Sequence, residues 1–230
     1  MTVIDAELAA LDPDLQFDDL GSLIARRVSG RFVVDEWGLD ADLRRFVAPL
    51  VRARWSLRLE GEGVVPEIGA ALLVHNRRVG LSESAVLAAA VGHATDRPLR
   101  VTGLPPALGP IAPLAPLARR LGAVPGNPAD LRSLLRAGEL VGVPLGRELL
   151  HPFHVGPVPV APIAAALAAG VPIIPVAVLG LELGRWWTVR FGRPLATRRR
   201  RTVGDPVELA EATRLELQHL VTDTRRSTPS

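Results

Sequence analysis

The chain has no cysteine and no lysine, few aromatic residues, and no apolar run of membrane-spanning length. Without cysteine, disulfides and thiolate metal sites are excluded, and cysteine usage points to neither a reducing nor an oxidising compartment. Aromatic residues make up only 4% and the arginines are dispersed, which disfavours a platform for nucleic acid. With no lysine there is no glycine-rich loop of the P-loop type, so a P-loop nucleotidase is excluded. A spanning helix needs ~20 apolar residues. The longest candidate, residues 170–183, is interrupted by Pro172, Pro175, Gly180 and Glu182, so any contact with a membrane is expected at its surface. Residues 1–14 are acidic and lack the basic-then-apolar order of a secretory signal. The expected location is the cytoplasm, with attachment to the inner face of the cell membrane as its peripheral variant.

What is present is a 230-residue chain with 48% hydrophobic content, enough for one substantial core. Its net charge of +3 rests on arginine alone. Arginine's planar fork donates two parallel hydrogen bonds to phosphate, so this basic set fits a phosphate-bearing partner or an anionic membrane surface. It fits GC-rich codon usage equally well.

The patterning divides the chain into an acidic tail over 1–17, a helical pair over 18–54, an α/β domain over 55–222 and a polar tail over 223–230. In the helical pair, Leu20 to Val28 reads as a helix stopped by Gly30, and Asp40 as the N-cap of a second helix running to about Arg54. Leu43, Phe46, Val47, Leu50 and Val51 form one apolar stripe of that second helix, flanked by Arg44, Arg45, Arg52 and Arg54. The stripe suits packing on the protein's own core better than a bilayer interface, because Pro49 interrupts it. Beyond residue 55, strands at about 55–60, 70–74, 99–102, 139–143, 171–178 and 186–191 alternate with helical segments. Residues 171–178 are apolar on both faces, as a parallel sheet requires. The expected fold class is therefore α/β, with a mixed, largely parallel central sheet flanked by helices and preceded by the helical pair.

The stretch that carries chemistry runs from the strand ending at Val74 into His75, Asn76, Arg77, Arg78 and Glu83, and then into an Ala-rich helix. A strand-to-helix turn of this kind is where α/β folds place functional side chains. Other constellations are weaker. His151 and His154 lack a third metal ligand and are separated by Pro152, so no metal site is expected. Ser82 has no Gly-x-Ser-x-Gly elbow and no placed His-Asp pair, which disfavours a serine hydrolase. Trp186 and Trp187 alternate across a strand, so one ring is expected in the core and the other on a loop, lipid or partner.

The order of segments over residues 30–195 resembles the lysophospholipid and glycerophosphate acyltransferase family. Val171-Pro-Ile-Ile-Pro-Val-Ala-Val-Leu-Gly180 resembles its last motif, and Leu134-Leu-Arg-Ala-Gly-Glu-Leu-Val-Gly-Val143 the approach to its Pro-Glu-Gly motif. Leu121-Gly-Ala-Val124 resembles its second motif, and Phe32-Val-Val-Asp-Glu-Trp-Gly-Leu-Asp40 is similar to the lead-in of actinobacterial members. The resemblance implies attack by a lysophospholipid or glycerophosphate hydroxyl on the thioester of acyl-CoA or acyl carrier protein, with no cofactor. It also implies a general base and orienting carboxylate from a first motif, Asn-His-x-x-x-x-Asp or a longer-spaced version.

This chain departs from those motifs. The order is inverted to His75-Asn76, so Asn76 falls where the base belongs, and asparagine takes no proton in an ordinary cycle. The usual spacing from Asn76 puts Leu81 at the carboxylate position, and only the longer spacing puts Glu83 there. His75 as base with Glu83 as partner requires a local bulge or register change, because a one-residue shift turns a strand side chain to the other face. Pro-Glu-Gly appears as Pro144-Leu145-Gly146, followed by Arg147 and Glu148, and Gly126-Asn127 stands near the place of an expected arginine. The resemblance thus assigns catalysis to His75 and Glu83, and substrate binding to Asn76, Arg77, Arg78, Pro144, Gly146 and Arg147. The lost polar chemistry implies either a displaced His75-Glu83 pair or a scaffold whose activity has decayed to lipid or acyl-CoA binding. An unrelated soluble α/β enzyme is the third reading.

Overall fold

The computed structural model describes residues 33–77, 82–102, 115–145, 154–195 and 205–223. Two compact units account for them. One combines the N-terminal residues up to Ser56 with 105–123, and the other combines 57–104 with 124–230.

In the first unit, α1 (Ala41–Arg54) starts where expected. Asp40 is extended, and its side chain accepts the Leu43 N–H at 2.8 Å, occupying one of the helix's orphan donors. The apolar stripe is only partly covered: Leu43 is buried, Phe46, Val47 and Val51 are half-buried, and Leu50 remains 41% exposed. The Asp40 N–H also donates to the carbonyl of Arg120, the last residue of α3 (Ala115–Arg120). The expected helix over residues 20–28 lies outside the described residues, as do most of the proline-rich stretch 104–116 and the arginine run 198–201.

The second unit is a sheet with strand order β1-β6-β5-β2-β4-β3. Its strands are β1 (Ser56–Glu60), β2 (Ala71–His75), β3 (Leu99–Val101), β4 (Leu140–Pro144), β5 (Ile173–Gly180) and β6 (Trp186–Phe191). Its helices are α2 (Ser82–Thr95), α4 (Pro128–Arg136), α5 (Val160–Ala169) and α6 (Asp205–Thr222). β2 runs parallel to both β4 and β5, β3 runs parallel to β4, and β5 pairs antiparallel with β6. This is the mixed, largely parallel α/β architecture expected from the alternating pattern.

The order of connections decides which helix covers which face. From β2 the chain steps outward through α2 to β3, then reverses through α4 to β4 and through α5 to β5. Right-handed crossovers in opposite directions put α2 on one face and α4 and α5 on the other. Accordingly α4, α5 and α6 pack in succession, while α2 lies against β3, β4, β5 and β6. β2, β4 and most of β5 are buried on both faces. The connections leaving the neighbouring strands β2 and β4 run in opposite directions, which makes their C-terminal ends the switch point, where open α/β sheets form a crevice.

Local signals set the helix starts. α5 begins at Val160, and Pro162 falls in its first turn, where a missing N–H costs nothing. α4 is capped by Asn127, whose side-chain oxygen accepts the N–H groups of Ala129 and Asp130. Asn127 therefore serves as a helix cap.

Candidate functional site

β2 delivers His75 and Asn76 to the C-terminal edge of the sheet, and its register is continuous. Ala71 to His75 pair in step with Leu140 to Pro144, and Leu72 to His75 pair in step with Ile173 to Val176. The bulge that a displaced His75-Glu83 pair requires is therefore absent from β2.

His75 is fully buried and points toward α2. Its Nδ1 lies 2.9 Å from the Asn76 carbonyl oxygen and its Nε2 lies 3.5 Å from the Ser84 hydroxyl. A carbonyl only accepts, so Nδ1 carries the proton and Nε2 is the bare nitrogen that the Ser84 O–H approaches. Desolvation by burial lowers the His75 pKa from 6.5 to about 4, with the Arg77 charge adding to the depression against the Asn76 hydrogen bond. The ring is thus neutral at pH 7, a weak base, and shielded from solvent.

Asn76 is buried and spent on the neighbouring strand. Its amide nitrogen donates to the Val178 carbonyl at 2.9 Å, and its oxygen accepts the Val178 N–H at 2.6 Å. The pair mimics a backbone ladder step and pins β2 to β5 beyond their last register pair. Pro144 ends β4 opposite His75, and the N–H of buried Leu145 donates to the His75 carbonyl at 2.9 Å. The position that the resemblance gives to an acid is thus filled by an aliphatic side chain packed at the strand end.

α2 starts at Ser82. Its first residue is held by Glu182, in the turn after β5. Its carboxylate accepts the Ser82 hydroxyl at 2.8 Å and the Ser82 N–H at 3.2 Å, so it caps the helix from across the sheet edge. Glu83 is buried in the first turn of α2, where a carboxylate meets the positive end of the helix. The two ring nitrogens of His75 meet Asn76 and Ser84.

The structure thus brings together His75, Asn76, Pro144, Leu145, Ser82, Ser84, Val178 and Glu182, while Arg77 is half-buried just beyond Asn76. Arg78, Gly146 and Arg147 lie outside the described residues. Ser84 and Glu182 were not singled out from sequence as site residues. The signal for Glu182 was its place after β5, because two central parallel strands end side by side. Among the described residues no group of three acidic or imidazole side chains could hold a metal ion, and no helix is long and apolar enough to cross a membrane.

No protein-family model matches the sequence, and no curated protein matches it. Among solved structures, the chain is similar to the 1-acyl-sn-glycerophosphate (LPA) acyltransferase PlsC from Thermotoga maritima. The likeness has a TM-score of 0.60 and 14% sequence identity, and covers 92% of this chain and 90% of that one. At that identity it establishes an acyltransferase-like fold.

Proposed function

We propose that this protein binds an acyl thioester or a lysophospholipid-type molecule at the C-terminal edge of its sheet without transferring the acyl group. The observation that carries this reading is the burial of His75, which has both ring nitrogens engaged inside the core. A general base must reach the proton of an acceptor hydroxyl, and a shielded imidazole with a pKa of about 4 is poorly placed and poorly matched to that task. Asn76 and Leu145 hold the other motif positions with strand-pinning and packing roles. The acyltransferase-like fold supports the ligand class. Acyl-CoA or acyl carrier protein as donor-type ligand, a lysophospholipid or glycerophosphate as acceptor-type ligand, and residence at the cytoplasmic membrane face belong to the same reading, with Arg77, Arg78 and Arg147 as phosphate ligands.

One observation favours the active alternative. The Nδ1 proton fixed on Asn76 leaves Nε2 bare, which is the tautomer a base needs. In that reading His75 is the base, and Glu83 acts through the helix start. Purified full-length chain incubated with labelled palmitoyl-CoA and lysophosphatidate distinguishes the two. The expected result is saturable binding of either ligand with transfer no faster than the protein-free blank. Turnover that disappears in His75→Ala would overturn the proposal in favour of the active alternative, and absence of both binding and turnover would remove both.

A further inference from the structure

The hairpin between β5 and β6 ends in an apolar tip. A hydrogen bond of 2.7 Å from the Gly184 N–H to the Leu181 carbonyl closes a tight turn with Glu182 and Leu183 at its corners. Leu181 is 73% exposed, Leu183 92% and Trp186 77%, and Arg185 beside them is exposed as well. Strand alternation explains the outward Trp186. Its neighbour Trp187 turns inward and lies so closely on Gly180 that a Cβ there would overlap the indole ring. The tip is also anchored, since Glu182 turns away from solvent-facing leucines to cap α2 through Ser82.

We propose that this tip is the protein's point of entry into the interface of an anionic bilayer. Leu181, Leu183 and Trp186 enter the boundary between headgroups and acyl chains, and Arg185 meets lipid phosphate. The chemistry fits a layered lipid surface: a tryptophan suits the apolar-to-wet boundary, leucines suit the layer beneath, and a guanidinium suits the phosphate layer. Among the described residues, the cavity lined by Glu60, Arg190, Phe191, Leu220 and Asp223 has charged walls that do not complement an apolar knob, so it offers no seat for the tip of a second copy. The inference goes beyond the ligand-binding reading, because attachment to a vesicle requires neither acyl transfer nor a soluble ligand.

Absence of cysteine provides a direct test. Leu183→Cys and Ile68→Cys each create one labelling site, both at positions 92% exposed, with Ile68 just before β2 at the opposite edge of the sheet. Each carries an environment-sensitive fluorophore and is mixed with phosphatidylcholine vesicles with or without phosphatidylglycerol. Emission is expected to rise and shift blue at position 183 on anionic vesicles and to stay unchanged at position 68. In co-sedimentation, Leu181→Ser/Leu183→Ser/Trp186→Ser should weaken binding about tenfold or more. Arg185→Gln should weaken binding to anionic vesicles about fivefold, the factor for ~1 kcal/mol per basic residue near such a surface. A folded triple variant that sediments like wild type, equal responses at both labels, no response at position 183, or self-association lost with the tip would each overturn the proposal. Failed ligand binding with an intact response at position 183 would remove the ligand-binding reading alone.

Discussion

The two edges of the parallel sheet handle polar side chains in the same way. At the edge where strands begin, Arg97 donates from one nitrogen to the carbonyls of Pro66 and Gly69 and from the other to that of Gly138, tying the approaches to β2 and β4 to the start of β3. At the edge where strands end, Asn76 closes on Val178 and Glu182 closes on Ser82. The first edge is where an α/β fold keeps its structural residues and the second is where it keeps its chemistry. Here the second edge is built like the first: its most chemical side chains are turned inward or given to backbone.

The largest expected departure comes from Asn76. Asn76→Ala leaves the Val178 N–H and carbonyl without their partner in a buried site, at about 1–3 kcal/mol per group. A loss of about 3 kcal/mol in denaturant unfolding is expected, against about 2 kcal/mol for Arg97→Met, whose partly exposed carbonyls can regain water. A loss below about 1 kcal/mol at Asn76 would break the likeness between the edges and release that side chain for a ligand.

Next in size is a pH dependence confined to His75. The folded pKa of about 4 lies below the ordinary 6.5, so between these values the unfolded chain binds more protons than the folded one. Stability contributed by the neutral ring is fully present above about pH 6.5 and falls as pH drops toward 4. Between pH 7 and pH 5 the expected loss is ~2 kcal/mol, an order-of-magnitude figure for a wholly buried group. The difference in unfolding free energy between the two pH values should shrink by most of that amount in His75→Gln. An unchanged slope would mean that His75 is wet, as a catalytic base at this edge would be.

Much of the fold was legible because it rests on local signals. The β2 and β5 segments are short apolar runs between polar or glycine boundaries, Asp40 precedes an amphipathic run, and the Trp186-Trp187 alternation alone assigns one ring to each side. The candidate site was legible in position but not in wiring. Asn76 and Val178 are 102 positions apart, and Ser82 and Glu182 are 100 apart. Nothing local distinguishes an asparagine that binds phosphate from one that pairs with a backbone. Nor does spacing reveal that His75 turns toward Ser84 rather than Glu83, since both lie in the first turn of α2. That choice depends on the face the strand presents, which the unbroken register with β4 and β5 sets.

The smallest expected effect, at Ser84, bears most directly on whether the two edges differ. The Ser84 hydroxyl lies 3.5 Å from His75 Nε2, at the far limit of a hydrogen bond, and its removal leaves a neutral acceptor rather than a buried charge. Ser84→Ala should therefore cost only ~0.5–1 kcal/mol of stability. Ligand affinity should be unchanged, and so should the protonation of the ring, read from imidazole nitrogen shifts. That outcome makes the contact a core satisfaction of the same kind as the Arg97 clamp. A different outcome separates the edges: unchanged stability together with loss of any acyl transfer would mean that His75 and Ser84 work on a substrate. The hydroxyl, rather than Glu83, would then be the group through which the buried imidazole reaches it.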